Sequence, residues 1–230
     1  MTRALVFPGQ GSQYVGMGAS LAAAYPPARA VFEEVDDALE QNLSKIMFEG
    51  DESLLRLTEN TQPALMAMSI AIMRVLAAGG VSVRSMASHV AGHSLGEYTA
   101  LCAAGALSLF DTARLLKRRG QAMQQAVPVG EGAMAALLGL EIDAVENCLA
   151  KAETAELICA IANDNAPGQV VISGHAAAVD AVINLAKEEG AKRAMLLPVS
   201  APFHCPLMQP AADDMRTALN EAAIAAPYVP

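Results

Sequence analysis

Gly92-His93-Ser94-Leu95-Gly96 has the form G-x-S-x-G, and it restricts the fold of this chain more than any other stretch. The apolar run 86–91 before it reads as a strand, and 95–105 after it reads as a helix. A serine on so sharp a strand-to-helix turn needs small neighbours for the backbone to bend. Its hydroxyl is then exposed, and the N–H of Leu95 points near a reacting carbonyl, aided by the helix N-terminus. Ser94 is therefore a candidate nucleophile and Leu95 a candidate oxyanion donor.

The segments around the elbow alternate in type. Residues 4–7 are a short apolar run ending at Pro8-Gly9, a strand entering a glycine-rich loop. Residues 61–78 read as a buried helix, rich in Ala and Met and closed by Gly79-Gly80. Residues 108–127 read as another helix, with Ser108 and Asp111 in a capping-box arrangement. Strand and helix alternating favour an α/β layer architecture. A second rhythm follows: strand 133–140, helix 142–152, strand 157–162, a turn signal over 163–168, strand 169–173, helix 176–189 and strand 194–199. That order, β-α-β-β-α-β, is the split βαβ of ferredoxin-like units. A large α/β domain formed by 1–127 and 199–230, with a parallel sheet, is expected to carry a small ferredoxin-like subdomain at 128–198. A last helix is expected from Pro206 to near Ala223.

Composition removes several function classes. With 53% hydrophobic and 17% charged residues the chain is too apolar for disorder. A net charge of −9 argues against a general nucleic-acid binder. Cys102, Cys148, Cys159 and Cys205 contain no C-x-x-C, so neither a zinc site nor a dense disulfide framework is indicated. Buried thiols in a reducing cytosol are the simpler reading. No signal peptide is read at the N-terminus, and the most apolar window, 64–80, is interrupted by Arg74. The expectation is a cytoplasmic protein with no metal, no membrane span and no nucleic-acid partner.

A serine nucleophile needs a base. Of the four histidines, His93 adjoins Ser94, where neighbouring side chains diverge. His175 starts a helix and reads as a surface or capping residue, and His89 falls inside the expected strand 86–91, where it reads as a core residue. His204 sits in a loop between Pro202 and Pro206, a place that can hold an imidazole at a cleft. The loop after strand 4–7, Pro8-Gly9-Gln10-Gly11-Ser12-Gln13, fails the G-x-G-x-x-G test because Tyr14 stands where glycine is required. Its backbone could instead supply a second oxyanion donor. Arg118 and Arg119 are adjacent in one helix, about 100° apart, so at most one points inward. An inward guanidinium meets either a protein acid or a substrate acid.

Taken together these motifs resemble the malonyl-CoA:acyl carrier protein transacylases, the acyltransferases of fatty-acid synthesis. The likeness runs from Val6 to the C-terminus. It is carried by Val6-Phe7-Pro8-Gly9-Gln10-Gly11-Ser12-Gln13, by Thr61-Gln62-Pro63-Ala64, by the elbow extended to Glu97-Tyr98, by Arg118-Arg119-Gly120 and by Pro198-Val199-Ser200-Ala201-Pro202-Phe203-His204. The resemblance implies Ser94 as nucleophile, His204 as general base, and the N–H groups of Gln10 and Leu95 as the oxyanion hole. Arg119 would hold the malonyl carboxylate, with Gln62, Phe203 and His93 lining the substrate; a Phe before the histidine goes with malonyl rather than methylmalonyl. It implies malonyl-CoA as donor, the phosphopantetheine thiol of acyl carrier protein as acceptor, no cofactor and a monomer. It also implies that members continue past the last helix into a further strand and helices, for which 226–230 reads as the approach. Carrier proteins are acidic, so docking on a chain of −9 needs a local basic strip. Lys117, Arg118, Lys187, Lys192 and Arg193 are the candidates. The competing reading is a serine esterase or thioesterase of the α/β-hydrolase type, with Asp164 or Asp180 as third member; neither falls at a convincing strand-end loop.

Overall fold

The computed structural model describes residues 3–152, 154, 156–199 and 201–230, so Ser200 of the last motif lies outside the described residues. The chain divides into two compact units, Met1–Gln121 with Met215–Pro230, and Ala122–Asp214.

The first unit runs β1 (Ala4–Phe7), α1 (Ala19–Ala24), α2 (Pro26–Leu39), α3 (Leu43–Glu49), α4 (Glu52–Arg56), α5 (Thr58–Ala78), α6 (Val83–Met86), β2 (His89–Gly92), α7 (Leu95–Ala103) and into α8 (Leu109–Gln125). β1 and β2 pair in parallel, with Ala4 opposite His89 and Phe7 opposite Gly92. The core lies beside them, where Ala64, Leu65, Met66, Ala67, Ile70 and Ala71 of α5 are buried with Val31, Phe32 and Val35 of α2 and Leu95 of α7. Alanines on α5 let its neighbours approach closely, and methionines fill the irregular gaps. Among the described helices, only α5 is long and apolar enough to cross a bilayer by length and composition; half of its most apolar window is buried.

Two expectations change here. The strand expected at 86–91 begins only at His89, because 83–86 form the short helix α6. Ser82 and Ser85 cap that turn reciprocally: each backbone N–H donates to the other's hydroxyl, at 2.9 and 3.2 Å, and local bonds of this kind override strand propensity. His89 is exposed rather than core, and its Nδ1 lies 2.9 Å from Ser88 Oγ. Residues 19–56, unassigned from the sequence, form four helices. Pro26 and Pro27 start α2, and the Asp51 carboxylate accepts from Ser53 N at the head of α4. The capping box proposed for α8 supplies its first bond, Asp111 N donating to Ser108 Oγ at 2.9 Å.

The second unit carries β3 (Gly132–Leu138), α9 (Ile142–Ala152), β4 (Cys159–Ala166), β5 (Gln169–His175), α10 (Ala176–Glu188) and β6 (Arg193–Leu196). Its antiparallel sheet has the order β4-β5-β3-β6, the ferredoxin-like arrangement that the sequence rhythm predicts. Val145, Cys148, Val179, Val182 and Ile183 of the two helices are buried with Ala135, Leu137, Val170 and Ile172 of the sheet. The expected turn at 163–168 shrinks to Pro167-Gly168, since β4 extends through Ala166. Polar Asn163, Asp164 and Asn165 fit there because β4 is an edge strand with register shifts after Ile161 and Asp164. β6 is shorter than the expected 194–199. Leu197 N still donates to Met134 O, but Pro198 has no N–H to continue the ladder. A 3-10 turn at Pro206–Met208 leads into α11 (Gln209–Glu221). The architecture is α/β, a parallel strand pair in one unit and a ferredoxin-ordered sheet in the other.

Candidate active site

The elbow is strained and tightly seated. Ser94 has φ 55° and ψ −110°, a region that non-glycine residues rarely occupy and that persists only where packing enforces it. The packing is visible on every side. A Cβ on Gly92 would stand 1.9 Å from Gly96 C, and one on Gly96 would stand 2.4 Å from Phe7 O. His93 N donates to Phe7 O at 3.1 Å and Gly96 N to His93 O at 2.9 Å. β1 thus holds the turn that lifts Ser94 off the end of β2. Gly96→Ala is expected to cost about 3 kcal/mol or more, read as a lowered thermal unfolding temperature, because its methyl group would meet backbone rather than a movable side chain.

Buried polar residues gather at the head of α5. Thr58, Asn60, Thr61 and Gln62 are all buried. Thr61 Oγ1 donates to Leu55 O at 2.5 Å, and Gln10 Nε2 reaches Thr58 Oγ1 at 3.3 Å, tying the Pro8–Gln13 loop to this end of the helix. Gln62 Oε1 accepts from Arg119 Nη1 at 2.7 Å, while Arg119 Nη2 donates to Ser94 Oγ at 3.1 Å. The guanidinium carbon lies 5.7 Å from the centre of the Tyr98 ring. Burial pushes the Arg119 pKa down, opposed by the fields of Tyr98 and Glu97; guanidinium remains a cation in any case. Burial likewise raises the Tyr98 pKa against the pull of Arg119. Among the described residues no carboxylate lies within ion-pair distance of Arg119. Its neighbour Arg118 instead approaches Glu221 at 4.0 Å. The fold therefore presents a half-buried cation beside a strained serine hydroxyl, bonded to the neutral Gln62 and Ser94.

Leu95 is the buried first residue of α7, so its N–H belongs to a helix N-terminus. Gln10 and His93 are exposed, and a Cβ on Gly9 would stand 2.4 Å from His93 Nδ1. Ser94, Leu95, Gln10, Gln62, His93 and Arg119 all belong to the first unit. Phe203 and His204 belong to the second. There Phe203 is buried with Met123, Met134 and Met208, and Pro202 packs where a Gly132 Cβ would be. His204 is exposed at φ 58°. His175 caps α10 by position only; its Nδ1 accepts from Ile158 N at 2.8 Å. Burial pushes the thiols of Cys102 and Cys159 up to about 11, so neither offers much thiolate as a rival nucleophile near neutrality. Among the described residues no group of His, Cys, Asp and Glu could hold a metal ion. The Tyr98 platform was not assigned a role from the sequence. Its spacing of four from Ser94 on the following helix was the available signal.

Residues 4–230 match the family described as acyl transferase domain. The chain belongs to the acyl transferase family. This acyl transferase is 47% identical, over 99% of its length and 70% of the relative's, to the malonyl CoA-acyl carrier protein transacylase of Bacillus subtilis. It superposes with TM-score 0.97 and 57% identity on the crystal structure of acyl-carrier-protein-S-malonyltransferase from Bartonella henselae, covering 100% of this chain and 73% of that one. A malonyl-transacylase in complex with a type II PKS acyl-carrier protein matches with TM-score 0.95 and 43% identity, over 100% of this chain and 73% of that one. Membership makes the protein an acyltransferase enzyme, and the elbow is where an acyl transferase of this architecture can carry an acyl group on oxygen.

Proposed function

We propose that this acyltransferase moves malonyl from malonyl-CoA to the phosphopantetheine thiol of acyl carrier protein, through an ester on Ser94. The carrying observation is Arg119, a cation with no carboxylate within ion-pair distance among the described residues, which already donates to Ser94 Oγ. A malonyl carboxylate supplies the missing anion in a bidentate pair. In exchange it holds the thioester carbonyl beside the hydroxyl. Relatives named for this reaction support the same substrate pair.

In the first half-reaction Ser94 Oγ attacks the thioester carbon while His204 takes the hydroxyl proton. The tetrahedral oxyanion is stabilised by the N–H groups of Gln10 and Leu95. The C–S bond breaks, and His204 returns its proton to the departing CoA sulfur. In the second, His204 takes a proton from the carrier thiol, whose sulfur attacks the ester; the C–O bond breaks and His204 returns the proton to Ser94 Oγ. Gln62 orients Arg119, and Phe203 and His93 line the acyl site. The catalytic domain comprises 1–127 and 199–230, and the small domain 128–198. The enzyme acts as a cytoplasmic monomer without a bound cofactor. Support for the histidine comes from strain: Ser94 and His204 are two of the three non-glycine residues at positive φ among those described, the third being Glu40, and strain of this kind gathers at functional sites.

Mass spectrometry after incubation with malonyl-CoA tests nucleophile and substrate together. One malonyl group on the peptide containing Ser94, discharged by carrier protein, is the expected result. Turnover equally fast without carrier would replace this reading with a thioesterase. For docking, Lys187, Lys192 and Arg193 are exposed, whereas Lys117 is engaged by Glu59 at 2.9 Å. Reversing the charge of Lys192 and Arg193 together is expected to raise the KM for the carrier severalfold, with malonyl-CoA hydrolysis unchanged, and more so at low salt.

A further inference from the structure

α8 meets the head of α5 along a short strip. Gly120 faces the α5 backbone, where a Cβ would stand 2.4 Å from Glu59 Cα and 2.8 Å from Thr58 C. Only glycine allows so close a crossing. On one flank of Gly120, the Glu59 carboxylate accepts from Lys117 Nζ at 2.9 Å and from Gln121 Nε2 at 3.0 Å. Lys117 and Gln121 are one helical turn apart on α8. Lys117 Nζ also donates to Gln41 Oε1 at 2.9 Å and Asn60 Oδ1 at 3.0 Å, so its three N–H groups have three acceptors. On the other flank, about 100° round the helix, stands Arg119 with its bonds to Gln62 and Ser94.

The two flanks fasten the same pair of helices at points one turn apart on α5, Glu59 and Gln62. Leu109, Ala113 and Leu116 of α8 share the buried core of α5, and at the close crossing around Gly120 the polar contacts fix the local register that places Arg119. The Lys117 and Glu59 side chains are only 20% and 34% exposed, which sets them apart from fully solvated surface pairs of little worth. Burial raises the Glu59 carboxyl pKa, but the bonds from Lys117 and Gln121 and the Lys117 charge hold it below the ordinary carboxylate range. The Glu59 carboxylate is therefore ionised at neutral pH. Bidentate capture of a carboxylate tolerates little displacement of the guanidinium.

We propose that Glu59, Lys117 and Gln121 are positioning residues that set the register of α8 and thereby the preference of Arg119 for acidic acyl groups. This rests on the reading of Arg119 above. In the full chain, Lys117→Met and Glu59→Gln are compared with the parent for transfer from malonyl-CoA and acetyl-CoA, with unfolding temperature measured on the same preparations. The malonyl preference falls about tenfold or more, as a rise in malonyl-CoA KM, while acetyl transfer is unchanged. Lys117→Arg keeps the preference, and Lys117→Met adds nothing to Arg119→Ala. Losses equal for both acyl groups and tracking unfolding temperature would show a merely structural role and overturn the proposal. So would an unchanged preference in either folded variant. If Arg119→Ala itself keeps the malonyl preference, the underlying reading of Arg119 fails first.

Discussion

Ser94→Ala folds and transfers no malonyl: the loss expected is roughly 10⁴-fold or more, with no acyl mass on the elbow peptide. The hydroxyl is the only atom removed, and the turn is held by contacts that do not involve it. His93 N still donates to Phe7 O, and Gly96 still packs on the Phe7 carbonyl. Arg119 keeps Gln62 and the Tyr98 ring. The measurement is intact-protein and peptide mass after malonyl-CoA, beside a stopped assay of carrier malonylation. Undiminished labelling of the elbow peptide would remove Ser94 from the mechanism. Ser94→Gly sharpens the comparison. It is equally inactive, but glycine occupies φ 55° without strain, so its unfolding temperature rises by the equivalent of about 1 kcal/mol. A catalytic position that is destabilising in the parent is the signature of strain maintained for function.

Arg119→Ala separates substrate choice from chemistry. Truncating one partner of a buried, hydrogen-bonded charge pair costs about 2–5 kcal/mol, so kcat/KM for malonyl-CoA is expected to fall roughly 30- to several-thousand-fold. Transfer of acetyl, which has no carboxylate to pair, falls far less or improves. Acetyl entering the parent site leaves the guanidinium without its anion, and Ala removes that penalty. Competition between malonyl-CoA and acetyl-CoA at one carrier concentration reads the ratio directly. An unchanged ratio would sink the assignment. Arg119→Lys does not restore it, because an ammonium lacks the planar pair of N–H groups that takes a carboxylate bidentately while a third bonds Gln62 Oε1.

Much of this was legible without coordinates. The elbow at 92–96 could be read because G-x-S-x-G between an apolar run and a helix is a local backbone requirement, and the glycines are needed where carbonyls crowd Cβ positions. The β-α-β-β-α-β order of the second unit was legible for a similar reason: each element has its own period and turn. Expectations failed where local side-chain bonds or edge position outweighed pattern. The Ser82–Ser85 cap turned the start of a strand into helix. An edge strand with bulges accepted the polar residues 163–165 that signal a turn elsewhere. Residues 19–56 carry a weaker pattern, and their helices take shape by packing, α2, α3 and α4 on α5 and α1 on α2.

The sequence by itself determined which residues could do chemistry: a serine on a turn, four histidines, two adjacent arginines, and an order of elements that places the serine at the end of a strand. Apart from the family resemblance, which implies Arg119, it could not say whether Arg118 or Arg119 turns inward, nor what an inward guanidinium meets. Helical geometry allows either arginine. Only the tertiary structure decides, because Gly120 brings α8 against the head of α5 and turns Arg119 towards Gln62, Tyr98 and Ser94. The absence of a carboxylate partner among the described residues is likewise a property of packing. It depends on residues about 25 and 57 positions away being brought within bonding distance, and pairings across such separations leave no trace in local pattern.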